Sequence, residues 1–113
     1  MLDYLFAFSL YRQLEGLEAI LAKSEKDQVN RFLVAFNSQG AFNEILKQIS
    51  EQCADAPEYL RSFSHIKPVT IERGIERSVY PDFLRRVTML KQAIRALLEY
   101  SLTDEQKQRI GFI

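Results

Sequence analysis

The chain has one cysteine, one histidine, no tryptophan, three prolines and four glycines in 113 residues. A lone cysteine, Cys53, excludes an intrachain disulfide and any cysteine-based zinc cluster, and it suits a reducing compartment. A lone histidine, His65, excludes a histidine-rich metal site and a paired-histidine mechanism. So few prolines and glycines favour long helices over a β fold with many turns. No apolar run approaches the roughly 18 residues of a membrane span. Asp3 and Arg12 interrupt the start of the chain where a secretory signal needs a basic segment and then an apolar core. A phosphate loop is missing too, because neither Asn37-Ser38-Gln39-Gly40 nor the stretch around Gly74 has the required spacing or the Lys-Ser/Thr pair. These absences predict a cytoplasmic protein without cofactor, metal or membrane. The length predicts one domain, 1–113, long enough to bury a core unaided.

What is present is helical periodicity. Phe6, Leu10, Leu14, Leu17 and Leu21 step by four and three, which predicts a long first helix from Leu2 to about Lys23. Leu5, Phe8 and Tyr11 widen its apolar arc beyond what one neighbour covers. Ser24 fits an N-cap with Asp27 in the following turn, opening a short second helix with Val29, Phe32, Leu33 and Phe36 inward. The turn signal at 37–40 then separates it from a third helix bearing Phe42, Ile45, Leu46, Ile49 and Cys53. Asp55-Ala56-Pro57-Glu58 reads as a cap and an early proline for a short helix with Tyr59, Leu60 and Phe63 inward. Lys67-Pro68 ends it.

Residues 69–79 contain a doubled Ile-Glu-Arg. They fit a helix capped by Thr70, with Ile71, Ile75 and Val79 on one face, and also fit a strand; the helix is preferred for want of a partner strand. Pro81 suits the first turn of a long helix at about 81–101, along which Phe83, Val87, Leu90, Ile94 and Leu97 recur. Thr103-Asp104-Glu105-Gln106 is a capping box for a last helix ending at Gly111. Phe112 and Ile113 are expected to dock. The fold class read from this pattern is all-α, an irregular bundle of five to six helices.

Fifteen basic and fifteen acidic residues balance, but unevenly along the chain. Residues 1–60 carry five Lys/Arg against nine Asp/Glu, whereas residues 61–95 carry eight against three. Three arrangements account for this: neutralisation within one molecule, complementary patches between molecules, or a phosphate-binding surface. Overall neutrality and a pI near 6.6 weigh against the third. The surplus of apolar groups on the first helix points to a partner or a homodimer.

The expected function is therefore a small non-catalytic interaction or regulatory protein: an adaptor, assembly chaperone, inhibitor or immunity-type binder. Tyr4, Phe6 and Tyr11 are the candidate apolar anchors, and Arg73, Arg77, Arg85 and Arg86 the candidate charged face. The first alternative is nucleic-acid binding through the same basic segment. Arg61 and His65 supply a second. The pair resembles the arginine and histidine of helical ribonucleases of the HEPN type, which set them further apart than the three residues that intervene here. That resemblance implies RNA cleavage by Arg61 and His65 across a dimer interface, and the short spacing departs from it. Cys53, on an apolar row, is expected to be a buried small hydrophobe rather than a nucleophile.

Overall fold

The computed structural model describes residues 3–24, 30–70 and 79–112. Among them are five α-helices and no strand: α1 (Tyr4–Ser24), α2 (Asn30–Gln52), α3 (Pro57–Ser64), α4 (Val79–Ser101) and α5 (Asp104–Ile110). The all-α expectation holds. Ser24, expected to cap the second helix, is instead the last residue of α1, whose helical backbone an N-cap does not adopt. Of the stretch 69–79, Val69 and Thr70 are neither helix nor strand and Val79 belongs to α4, while residues 71–78, Asp27, Val29 and Ile113 lie outside the described residues.

Each helix whose start is described begins where a side chain or a proline can serve the first turn. Asp3 Oδ1 accepts from the Phe6 amide at 3.1 Å, so Asp3 is the N-cap of α1. Pro57 occupies the first turn of α3, preceded by Ala56, which forms no side-chain cap; the cap read at 55–58 is therefore one position off. Pro81 sits in the first turn of α4, where a missing N–H costs nothing. The capping box at Thr103 forms in full, with the Gln106 amide donating to Thr103 Oγ1 at 3.2 Å and the Thr103 amide donating to Gln106 Oε1 at 2.9 Å. Gly111 closes α5 at φ 81°, a left-handed conformation that glycine adopts without a Cβ clash.

The largest correction concerns α2, which runs unbroken through Asn37-Ser38-Gln39-Gly40. Those residues have weak helix propensity, but tertiary burial of Ala35 on one side and Phe42, Ile45, Leu46 and Ile49 on the other outweighs it. Gln39 helps locally by donating to the Phe36 carbonyl at 3.1 Å. Continuity also overturns the inward placement of Leu33. Nine residues at about 100° each turn it half a revolution from Phe42. Leu33 is accordingly 53% exposed, and Ala35 takes the buried position instead.

One cluster of buried side chains joins all the long helices. The α1 stripe (Leu10, Leu14, Leu17, Leu21) meets the α4 stripe (Phe83, Val87, Leu90, Ile94), and α2 lies against both. Phe42 of α2 and Phe83 of α4 meet edge to face with centroids 5.6 Å apart. Fully burying one such side chain stabilises by about 1.5–3 kcal/mol, so this apolar seam dominates the fold. Cys53, expected to be a buried small hydrophobe, is buried in the same cluster just after α2. Desolvation pushes its thiol up from 9.0, assisted by the nearby charge of Asp55, and a protonated thiol is a poor nucleophile.

Between α3 and α4 the connector at 65–70 is held differently. Asn43 of α2 donates from Nδ2 to the Val69 carbonyl and accepts the Val69 amide on Oδ1, both at 2.7 Å. Its amide thus pairs with a peptide unit as a neighbouring strand would. From the other side, Arg86 Nη1 donates to the carbonyls of Lys67 and Pro68 at 3.1 and 3.0 Å. Ile66 and Val69 are buried beneath these two grips.

Candidate partner-binding surface

α4 carries a second apolar row that stripe counting from Phe83 passes over. Met89, Ala93, Ala96 and Tyr100 recur at spacings of four, three and four, about a quarter turn from the buried stripe. α3 packs along part of this row. Tyr59 and Phe63 from α3 and Ala93, Ala96 and Tyr100 from α4 enclose an open groove of about 280 Å³. Tyr100 stands at its mouth, 85% exposed, the most exposed large apolar side chain among the described residues. Two alanines of α4 facing Tyr59 of α3, with Tyr100 one turn further along α4, make a notch of the kind an inserted side chain fills.

The candidate apolar anchors on α1 stand as follows. Tyr11 is buried, only 9% exposed, stacked beside Phe8 at 6.2 Å and edge-on to Phe112 at 6.0 Å. Phe112 also meets Phe8 edge-on at 6.0 Å, so Phe112 docks through this aromatic trio as its apolar character implies. Tyr4 and Phe6 are half-buried against the core. Between them Leu5 points outward, 67% exposed, and leaves an apolar edge at the start of α1.

The candidate arginines are partly engaged within the molecule. Asp82 takes Arg85 at 2.8 Å and Arg86 at 3.0 Å. Hydrogen bonding from Arg85, opposed weakly by burial and reinforced by the Arg86 charge, holds the Asp82 carboxyl below its usual range. Arg86 is spent on the connector carbonyls, whereas Arg85 stays exposed. Arg73 and Arg77 lie outside the described residues. Further along α4, Arg95 pairs with Glu99 at 3.1 Å. Among the described residues one ion pair crosses from the acidic half to the basic segment: Glu18 of α1 accepts from Lys91 at 2.7 Å and from the Thr88 hydroxyl at 2.9 Å. Burial alone would raise the Glu18 carboxyl, but these two hydrogen bonds and the Lys91 charge outweigh it and leave it below 4.5.

Arg61 and His65 are both exposed near the C-terminal end of α3. Among the described residues no cluster of His, Cys, Asp or Glu has the arrangement of a metal site, and no helix is long and apolar enough to cross a membrane. Compared with known proteins, the chain matches no family model, no curated protein and no solved structure.

Proposed function

We propose that this chain is a non-catalytic protein–protein interaction or regulatory protein, of adaptor, assembly-chaperone, inhibitor or immunity type, acting in the cytoplasm. It works as a single helical domain, an irregular bundle whose α3–α4 groove receives an apolar side chain of a partner protein. The observation that carries this reading is Tyr100. It is 85% exposed beside an alanine-lined notch, and a rigid amphipathic ring at such a notch is the residue type on which binding energy concentrates. Tyr4, Leu5 and Phe6 supply a second apolar edge for a larger partner or for a second copy of the chain. The alternative of nucleic-acid binding is weakened by Asp82 and Glu99, two carboxylates that engage Arg85, Arg86 and Arg95 within 3.1 Å and offset two of their three charges.

The test is capture from native cell extract by the wild-type chain, by Tyr100→Ala and by Ala96→Glu, each confirmed helical by circular dichroism. A discrete partner retained by the wild type and lost from both variants is expected, because truncating a central aromatic costs about 2 kcal/mol or more of binding. Equal retention by all three chains overturns the reading of this groove. If the partner is a second copy, light scattering of the wild type shows a dimer that Tyr100→Ala converts to monomer.

A further inference from the structure

A second groove, on another side of α3, differs in its electrostatics. The α3–α4 groove contains Glu58, and the cleft beside Phe112 contains Arg12 and Arg95 already paired with Glu15 and Glu99. The groove between α2 and the α3–connector unit, about 330 Å³, has two lysines and no carboxylate among its lining residues. Lys47 of α2 and Lys67 of the connector stand on its rim, both exposed. Neither ammonium has a counter-ion among the described residues: Glu44, one turn before Lys47, accepts from Gln48 at 3.2 Å instead.

The remaining walls refine what this groove accepts. Leu46, Phe63 and Ile66 close the bottom and Pro68 forms one side. Ser50 and Ser64 each donate their hydroxyl hydrogen to a carbonyl of their own helix, at 2.7 Å to Leu46 and 2.8 Å to Arg61. Their oxygens therefore face the groove as acceptors only. The connector wall is fixed in advance by Asn43 on Val69 and Arg86 on Lys67 and Pro68, so little ordering is left for the binding step.

We infer that this groove docks an acidic, partly apolar peptide segment of a partner protein. The segment's apolar side chain rests against Pro68 and the apolar bottom, its carboxylates meet Lys47 and Lys67, and its backbone N–H groups donate to the serine oxygens. Charge complementarity selects an anion, the apolar bottom selects one with an apolar side chain, which a simple phosphate lacks, and the two acceptor hydroxyls favour one that also carries hydrogen-bond donors, which a fatty-acid carboxylate lacks. A volume of about 330 Å³ admits one or two side chains rather than a flat membrane surface. The inference rests on the partner-binding reading above and names the chemistry of a partner segment at a second face.

The test uses the full chain and a fluorescent synthetic peptide in which leucine and phenylalanine alternate with glutamate, followed by anisotropy. Saturable binding that weakens with salt is expected. Lys47→Glu/Lys67→Glu should bind at least about tenfold more weakly, while Lys23→Glu/Arg109→Glu, the same charge change on exposed positions elsewhere, should bind as the wild type does. A glutamate-only peptide should bind at least about tenfold more weakly than the mixed one, because it has nothing to place against the apolar bottom. The proposal is overturned if the mixed peptide fails to bind, if both double variants lose affinity equally, or if inorganic phosphate displaces the peptide at the peptide's own concentration. Peptide failure with Tyr100-dependent capture intact removes this groove alone. Loss of that capture with peptide binding intact removes the α3–α4 reading and leaves this groove standing.

Discussion

The α1–α4 seam and the connector at 65–70 are both well packed, but they are held by different physics. In the seam, leucine, valine, isoleucine and phenylalanine at four- and three-residue spacing bury themselves fully, and the ion pair that crosses it, Glu18–Lys91, lies at the edge. In the connector, two side chains from two helices grip the backbone itself: Asn43 reaches a residue 26 positions away, and Arg86 reaches 18 and 19 positions back. The difference teaches where fragility lies. A seam made of many apolar contacts loses a part of its energy with each truncation. A clamp made of a few hydrogen bonds loses most of its function when one group goes, and at Val69, which is buried, the orphaned backbone remains desolvated.

The contrast can be broken first at its apolar side. Phe83→Ala removes a fully buried ring and its edge-to-face contact with Phe42, and should destabilise by about 3–5 kcal/mol in urea unfolding. The clamp should respond less in magnitude but more locally. Asn43→Ala leaves the Val69 N–H and carbonyl without their partner and should cost about 2 kcal/mol. Native-state hydrogen exchange should then show faster exchange at Val69 with α1 and α4 little changed; uniform acceleration would mean that the clamp is part of the global core. The smallest effect belongs to the edge ion pair. Glu18→Gln should cost about 1 kcal/mol at about pH 7. The folded carboxyl lies below its ordinary 4.5, so its contribution is complete above that value and vanishes as pH falls through the folded one. Wild type and variant should therefore converge in stability once the pH has fallen below the folded value, and a difference that persists in that acid limit would show that the introduced glutamine disturbs packing instead.

Much of the helical layout was legible in the residues. The α1 and α4 stripes, the Thr103 capping box, the Gly111 stop and the docking of Phe112 all follow from local spacing and local capping chemistry. Two readings failed for one reason. The turn signal at 37–40 and the inward Leu33 were judged from a few neighbouring residues, whereas α2 answers to burial along its whole length, from Ala35 to Ile49. Tyr100 was hidden by the opposite effect. Its row with Met89, Ala93 and Ala96 is visible as spacing, but an apolar row looks the same whether another helix covers it or leaves it open.

Sequence alone determined that this protein is helical, where α5 is capped at both ends and which faces of α1 and α4 turn inward, because those properties depend on residues within one or two turns of each other. The tertiary structure decided that α2 is a single helix, that Arg86 serves the connector, and that Lys47 and Lys67 come to the same groove. Those outcomes depend on distances between elements far apart in the chain, and an energy that exists only when two segments meet leaves no periodic trace in either.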